Sequence, residues 1–246
     1  MELYDQVKKM IKESDNIVFF GGAGVSTASG IPDFRSAAGL YNQKHDSDYS
    51  PEYMLSHEFF EEKPKEFAEY IKKNLIYEDI SPNKAHKILA SWEKEGRLKG
   101  IITQNIDSLH QLAESRKVFE LQGNLRENYC VSCGKKYTLE DFLKKENPPL
   151  CDKCESIIRA DIVLYGEGLK QDVIEKSIEL IQKADVLIVG GTSLVVYPAA
   201  GFLDYYNGNK MILINKEPTA KDAIADYVFY GDIGEVLASI AEGKEQ

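Results

Sequence analysis

The sequence predicts an α/β protein, in which a parallel sheet carries helices on both faces. Short apolar runs of strand length recur along the chain and alternate with stretches of helical periodicity. Such alternation is typical of parallel sheets, because each crossover places a helix against the sheet. Two polar stretches, residues 36–80 and 125–157, interrupt the alternation, and we expect them to form a smaller second domain. The sheet domain then comprises residues 1–35, 81–124 and 158–246.

The strands are predicted from runs rich in β-branched and aromatic residues. The first run ends in a glycine-rich segment, as a strand that leads into a tight turn would. The predicted strands cover residues 17–20, 101–103, 118–121, 162–164, 186–189, 211–214 and 227–229.

Three stretches have helical periodicity. Leu3 and Val7 belong to the apolar face of a helix that opens the chain. A second helix carries Trp92, and Ser81-Pro82 supplies a cap followed by a first-turn proline. A third helix spans roughly residues 173–181.

The composition limits the classes of function that this protein can have. The chain has 246 residues with 43% hydrophobic and 28% charged residues, which are ordinary globular values. Neither a signal peptide nor a membrane span is evident, so we expect a soluble, cytoplasmic protein with no membrane partner. The net charge of -10 argues against nucleic-acid binding, since phosphate backbones would be repelled. The same charge suits basic partners, although solubility alone also explains it.

The four cysteines predict a metal site. Cys130, Cys133, Cys151 and Cys154 form two C-x2-C pairs separated by 17 residues, a spacing typical of zinc ribbons. Two disulfides or four unrelated thiols are the alternatives, but disulfides need an oxidising compartment. Because four thiolates complete a tetrahedron, we expect one structural zinc ion with no open position for catalysis.

The glycine-rich turn after the first strand suggests a phosphate site. Glycines let backbone N–H groups approach a pyrophosphate, and a following helix adds positive potential. Gly22, Gly24 and Gly30 do not match G-x-G-x-x-G, because Thr27 occupies the third slot. Taken alone, the pattern indicates a dinucleotide only weakly, and a plain tight turn remains the alternative.

Three longer sequence blocks strengthen the prediction of a dinucleotide site. They cover residues 22–35, 103–110 and 191–200, and the cysteines lie between the second and the third. Together they closely resemble the sirtuin family over about residues 17–233. The resemblance implies an NAD-dependent protein deacylase that acts on acyl-lysine proteins or peptides. It also implies a Rossmann-like large domain, with a small domain made of a helical module (residues 36–80) and a zinc ribbon (residues 125–157).

The resemblance assigns roles to matching positions. Three groups of residues would hold NAD, and a fourth would clamp the substrate peptide as an added strand. Asn105 and Asp107 would also serve the chemistry. The pyrophosphate would lie on Ala23, Gly24 and Thr27; the nicotinamide half on Phe34, Arg35, Gln104, Asn105, Ile106 and Asp107; the adenosine half on Thr192, Ser193, Asn215 and Ile233; and the peptide on Val163, Tyr165, Gly166, Glu167, Val195 and Val196.

One position departs from the family pattern. Sirtuins carry a catalytic histidine in Leu-His-Gly, which acts as general base on a ribose hydroxyl, whereas this chain has Leu121-Gln122-Gly123. An amide cannot accept a proton near neutral pH, although it can form hydrogen bonds in a similar volume. We therefore expect NAD, zinc and peptide to bind while turnover is crippled. Gln122 could be a change made to trap a bound state, or a feature of a natural binding protein.

Three functional hypotheses follow. The first is a sirtuin-type deacylase, and the second is a non-catalytic binder of NAD and acyl-lysine peptides. The third, a zinc-ribbon nucleic-acid adaptor, is weak because the chain is acidic. Sirtuins that prefer acidic acyl groups carry a tyrosine and an arginine in the helical module, and this chain has no arginine between Arg35 and Arg97. Uncharged acyl groups are therefore favoured, although Lys72 or Lys73 is an alternative partner for an acidic group.

Overall fold

The fold is described from a computed structural model that covers residues 2–34, 36, 39–42, 48–77 and 79–242. In these ranges, no helix is both long enough and apolar enough to cross a membrane. The α-helices are α1 (Glu2–Glu13), α2 (Pro51–Met54), α3 (His57–Glu62), α4 (Pro64–Asn74), α5 (Lys84–Lys94), α6 (Leu109–Leu112), α7 (Leu139–Lys144), α8 (Gln171–Lys183) and α9 (Ile233–Glu242). The strands are β1 (Ile17–Gly21), β2 (Leu98–Thr103), β3 (Val118–Glu120), β4 (Gly123–Cys130), β5 (Lys136–Thr138), β6 (Ile158–Ile162), β7 (Val186–Gly190), β8 (Met211–Asn215) and β9 (Tyr227–Tyr230).

The large sheet has the order β3-β2-β1-β7-β8-β9, and each neighbouring pair within it is parallel. Counted along the chain within this sheet, the order is 3-2-1-4-5-6, that of a dinucleotide-binding sheet. The order reverses between β1 and β7, where Gly21 pairs with Gly190. The predicted parallel α/β class is confirmed.

Both faces of this sheet are buried, as the apolar strands require. Ile17 and Phe19 point to one face and pack with α1, α5 and α9. Val18 and Phe20 point to the other face and pack with α8 and with the 3-10 helix Ala199–Tyr205. This alternation follows from the two-residue repeat of a strand and places helices on both sides, as predicted.

The smaller unit has its own buried cluster. Its sheet is antiparallel, with the order β5-β4-β6. Phe59, Phe67 and Ile71 of the helical module pack in one cluster with Leu125 and Phe142 of the ribbon. The two predicted insertions therefore share one core. The exact domain boundaries remain a prediction.

Two local expectations are wrong. Within the run 162–164, only Ile162 belongs to a strand, and that strand pairs antiparallel with β4 instead of joining the large sheet. The run is apolar because it borders the second core. The second predicted helix begins at Lys84 with Asn83 as its cap, not at Ser81-Pro82. Asn83 is the N-cap of α5 because its side chain accepts a hydrogen bond from the Ala85 N–H at 2.9 Å.

A histidine pair is buried beneath the first turn of α5. The rings of His86 and His110 lie 4.7 Å apart between centroids, and both side chains are nearly inaccessible to solvent. His86 Nδ1 accepts the Asn83 N–H at 3.3 Å, so His86 completes the helix cap. Burial lowers the pKa of His86 to about 4, and burial with the nearby His86 lowers the pKa of His110 to about 3. Both histidines are therefore structural and neutral, in line with the sequence-based expectation.

We predict that this histidine pair makes the free energy of unfolding fall at acid pH. This fall is the acid limb of the stability profile. In the unfolded chain both histidines bind protons below a pKa of about 6.5. In the folded chain they stay neutral down to the lowered values, so protons favour unfolding as the pH falls from about 6.5 towards 4. Over this pH range, the contribution of His86 lowers the free energy of unfolding by on the order of 3 kcal/mol. Urea unfolding at several pH values measures it.

His110→Phe tests the assignment, since an aromatic ring fits beside Phe19 but cannot titrate. We expect His110→Phe to make the acid limb shallower by removing the His110 part while the His86 part remains, and the exposed control His57→Gln to leave the limb in place. An unchanged limb in His110→Phe would contradict the assignment.

Candidate functional site

A cleft of about 660 Å³ lies at the carboxyl ends of β1, β2, β7 and β8. This is where parallel α/β sheets bind ligands, because the crossovers diverge at the point where the strand order reverses. Its lining combines polar main chain with apolar side chains, and its volume lies in the range of cofactor sites. The cleft therefore has the position and the size of a dinucleotide site.

Glycines close the floor of the cleft. The Gly24 N–H donates to the Gly191 carbonyl at 2.8 Å, and the Gly22 N–H donates to the Gly190 carbonyl at 3.2 Å. A β-carbon on Gly24 would lie 2.8 Å from the Gly191 α-carbon, and one on Gly22 would lie 2.7 Å from the β-carbon of Thr192. Side chains at these positions would therefore push the turn after β1 away from the end of β7.

The sequence-predicted residues converge on this cleft. Arg35 lies outside the described residues, and Asp107 lines a small side cavity of about 40 Å³ instead. Ala23, Phe34, Asn105 and Ile106 line both spaces. The others on the cleft are Gly24, Thr27, Gln104, Gln122, Val163, Tyr165, Gly166, Glu167, Thr192, Ser193, Val195, Val196, Asn215 and Ile233.

A buried polar group separates the cleft from the side cavity. Ser26 donates to Asp107 Oδ2 at 2.6 Å and accepts from Asn105 Nδ2 at 3.0 Å, while the Leu109 N–H donates to Asp107 Oδ1 at 2.8 Å. Burial raises the pKa of the Asp107 carboxyl, although the Ser26 and Leu109 hydrogen bonds oppose this shift. These bonds fix both side chains in one orientation, as positioned polar groups at a reacting centre require.

The other end of the cleft offers an unpaired donor. Asn215 Oδ1 accepts the Thr192 N–H at 3.0 Å, and Thr192 Oγ1 accepts from Gln104 Nε2 at 3.0 Å. Asn215 Nδ2 is buried and has no partner among the described residues. A buried donor of this kind needs an acceptor, so a ligand with oxygen or nitrogen acceptors fits here. The chain therefore fits the polar half of a dinucleotide.

Gln122 lies on the turn between β3 and β4. The Gln122 carbonyl accepts a hydrogen bond from the Val163 N–H at 2.9 Å, and Gln122 borders the cleft. Gly123 follows with φ +72°, and a β-carbon there would lie 1.9 Å from the Asp161 carbonyl oxygen. The turn therefore requires glycine, and it places residue 122 between the two cores.

An ion pair braces this turn from both sides. Arg126 binds Glu120 with two hydrogen bonds of 2.7 Å, one to each carboxylate oxygen. Asn124 and Gln111 donate to the same carboxylate at 3.0 and 2.9 Å. Glu120 and Asn124 flank Gln122, so this network limits how far the turn can move.

Two chain segments contribute apolar edges to the cleft. Val163 and Tyr165 belong to one edge, and Val195 and Val196 belong to the other. Val195 is 58% exposed and Tyr165 is 40% exposed, which is high for such side chains. Exposed apolar edges of this kind are typical of a surface that a partner covers.

The cysteines fit a zinc ion. All four Sγ atoms lie within 4.8 Å of one another, and the Cys130–Cys154 and Cys133–Cys151 pairs lie 3.4 and 3.7 Å apart. Bonds of about 2.3 Å in a tetrahedron place sulfurs about 3.8 Å apart. The Tyr137 hydroxyl donates to Cys151 Sγ at 3.1 Å, which stabilises a thiolate. The cluster is therefore positioned for one structural zinc, in the ribbon and away from the cleft lining.

Sequence reasoning missed some of the lining. Leu55 and Leu75 come from the helical module, and residues 216–220 follow β8. Ser26 also escaped notice, although it lies inside the first motif block. For residues 216–220, their place directly after a predicted strand was the available signal, since ligand sites lie at strand carboxyl ends.

Comparison with known proteins identifies the relatives of this chain. The model of the Sir2 family matches residues 22–198. An NAD-dependent protein deacetylase from Clostridium acetobutylicum is 53% identical over 241 residues, which cover 98% of each chain. A solved structure of Sir2 with a p53 peptide and NAD+ is 41% identical with a TM-score of 0.85, covering 96% of each chain. Another, of Sir2 bound to an acetylated peptide, is 40% identical with a TM-score of 0.85, covering 97% of each chain.

We predict that removing zinc loosens the ribbon and weakens ligand binding. The β4–β6 ladder begins at Cys130 and also carries Gly123, beside Gln122. A chelator should therefore release one zinc per chain and lower the affinities for NAD and for an acetyl-lysine peptide together, by roughly tenfold or more. Titration calorimetry measures both affinities, and added zinc should restore them. Unchanged affinities after complete zinc release would contradict a structural role.

Proposed function

Because the chain belongs to the Sir2 family, we propose that it is a sirtuin-type protein lysine deacylase whose turnover is limited by Gln122. Its reaction would convert acyl-lysine, NAD and one water molecule to lysine, nicotinamide and O-acyl-ADP-ribose. The observation that carries the proposal is the cleft at the strand reversal, where the sequence blocks 22–35, 103–110 and 191–200 meet.

NAD would supply the ribose carbon that receives the acyl oxygen as nicotinamide departs. The main chain of Ala23 and Gly24, with Thr27, would hold the pyrophosphate at the floor. Asn215 Nδ2, which is unpaired among the described residues, would donate to the adenosine half. Arg35 belongs to the same proposed set by its place in the sequence. The remaining assignments for Gln104, Ile106, Thr192, Ser193 and Ile233 follow their places on the cleft.

Asn105 and Asp107 would serve the reacting end. Ser26 fixes both side chains, so neither must reorganise when positive charge develops at the ribose carbon. Ile106 and Asp107 would hold the carboxamide in the small cavity, which Phe34 also lines. Phe34 packs edge-on against Tyr41 with centroids 5.4 Å apart, and would exclude water from the same carbon.

The substrate would be a neutral acyl-lysine within a peptide strand. Phe34, Val163 and Tyr165 give the cleft an apolar wall, and burying a charged lysine against it is costly. The peptide would add a strand between residues 163–167 and Val195–Val196. Residues 36–80 contain no arginine that could pair with an acidic acyl group, so acetyl and other uncharged groups are favoured.

Gln122 would limit the rate without abolishing binding. It occupies the turn that borders the cleft, and its amide can form hydrogen bonds but cannot take a proton from a ribose hydroxyl. Loss of a general base costs roughly 10²–10⁴ in rate. A non-catalytic binder of NAD and acyl-lysine peptides is the second candidate, and Gln122 is the observation that favours it.

We also propose the division of the chain that the sequence suggests. Residues 1–35, 81–124 and 158–246 would form the NAD-binding domain, and residues 36–80 and 125–157 the small domain. The shared core of Phe59, Phe67, Leu125 and Phe142 supports the pairing of the two insertions. Acyl-lysine proteins in the cytoplasm would be the partners, since the acidic chain disfavours nucleic acid and suits lysine-rich segments.

We predict that Gln122→His raises turnover by roughly 10²–10⁴, because it restores a general base at the cleft. Nicotinamide release and deacetylated peptide, followed by mass spectrometry with NAD and an acetyl-lysine peptide, measure the gain.

Gln122→Asn is the matched control, since it keeps an amide and should stay slow. NAD and peptide affinities should change little in either variant. If Gln122→His gains no activity while both ligands bind, the proposed role of residue 122 is wrong. If the unmodified chain already turns over as fast as Gln122→His, Gln122 does not limit the rate.

A further inference from the structure

The Glu167 carboxylate is held by hydrogen bonds from Arg159, His57 and Leu164. Its Oε1 accepts from Arg159 at 2.6 Å and lies 2.9 Å from His57 Nδ1. Its Oε2 accepts from Arg159 at 3.0 Å and from the Leu164 N–H at 2.9 Å. Burial acts to raise the pKa of Glu167, but the hydrogen bonds from Arg159, Leu164 and His57 outweigh it and lower the pKa to about 2. The carboxylate is therefore ionised and makes four hydrogen bonds to three residues.

Arg159 makes this arrangement hard to disassemble. Its side chain is only 5% exposed, and it also donates to the Ile162 carbonyl at 2.7 Å. The guanidinium stacks over Phe60 of α3 at 5.0 Å. A buried cation of this kind needs its counter-charge, because an unpaired buried charge is strongly unfavourable. Arg159 therefore fixes Glu167 relative to β6 and to the helical module.

The main chain joins the same two regions. The Tyr165 N–H donates to the Leu55 carbonyl at 3.0 Å, and the His57 N–H donates to the Tyr165 carbonyl at 2.9 Å. Ser56 and Tyr165 form a parallel bridge. His57, the first residue of α3, thus meets residues 165–167 through its main chain and its ring. One edge of the cleft is consequently attached to the helical module.

We propose that Glu167, held by Arg159 and His57, is a positioning residue that keeps residues 163–166 in a peptide-ready conformation, and that its side chain does not contact the peptide. This inference rests on the proposed function and deepens it. A peptide that binds as an added strand binds more tightly when the receiving edge is already ordered, because less conformational entropy is lost on binding. Loss of the Glu167 carboxylate therefore loosens the edge and weakens peptide binding while the NAD floor stays intact.

His57 makes the edge sensitive to pH. The groups that face its ring are Glu167 across the edge, Glu61 at 3.3 Å on its own helix, and Arg159, which opposes protonation. The hydrogen bond with Glu167 raises the pKa of His57. The charged contact is present below the ordinary histidine pKa of about 6.5 and is lost as the pH rises through the raised pKa. Peptide affinity therefore falls on the alkaline side.

Fluorescence anisotropy with a labelled acetyl-lysine peptide tests the proposal between pH 6 and 9. Glu167→Gln keeps the side-chain shape, and we expect about tenfold weaker peptide binding, with NAD affinity by calorimetry unchanged within about twofold. His57→Gln should bind the peptide at pH 6 about as weakly as the unmodified chain does at pH 9, with no remaining pH dependence. Glu61→Gln, exposed on the same helix, is the matched control and should retain tight binding at pH 6.

Three results would overturn the proposal. Glu167→Gln could bind the peptide as tightly as the unmodified chain. It could lose NAD and peptide affinity together with a lower melting temperature, which would make Glu167 a residue of general stability. The pH dependence could be absent, or could persist in His57→Gln. If the unmodified chain binds no acetyl-lysine peptide at any pH, the proposed function itself fails, and that outcome differs from the other three.

Discussion

The site depends on the close contact between the turn after β1 and the end of β7. Gly24 and Gly191 share a hydrogen bond of 2.8 Å, and neither position has room for a β-carbon. This approach is possible because β1 and β7 pair in register up to Gly21 and Gly190. The parallel sheet thus brings two distant glycine segments together, and their main chain forms a floor that a pyrophosphate can approach. The cleft walls are built outward from that floor.

Those walls come from separate cores joined by few main-chain bonds. The Leu125 N–H donates to the Ile106 carbonyl at 3.1 Å, and the Val163 N–H donates to the Gln122 carbonyl at 2.9 Å. Leu125 packs in the ribbon core and Ile106 packs against the same cluster, whereas Leu121, the neighbour of Gln122, packs in a core of the large sheet. Residue 122 therefore lies where the two cores meet. Gly123, Glu120 and Arg126 hold this turn, so a substitution at residue 122 is compatible with both cores.

Much of this was predictable from the sequence. The large sheet followed from apolar runs, since strands buried on both faces have no polar side. The cysteine spacing predicted the cluster, because two short turns can bring four thiols together. The glycine turn was too irregular to identify a dinucleotide by itself, and the longer motif blocks supplied that expectation.

The remaining features depend on contacts between distant residues. Asn83 displaced Ser81 as the α5 cap because its side chain reaches Ala85 and its N–H reaches His86. Residues 162–164 border the second core, and an apolar run by itself does not show which core it borders. Glu167 was expected at the peptide edge, yet its carboxylate points towards Arg159, 8 residues earlier, and His57, 110 residues earlier. Periodicity does not show where such side chains point.

The central claim is that one cleft binds NAD and an acyl-lysine strand although residue 122 is glutamine. A crystal structure of the unmodified chain with NAD and an acetyl-lysine peptide tests it most directly. We predict intact ligands, with the nicotinamide amide beside Asp107, an acceptor of the dinucleotide at Asn215 Nδ2, and the peptide between residues 163–166 and Val195–Val196. A peptide bound away from both edges, or a cleft that binds neither ligand at saturating concentration, would contradict the claim.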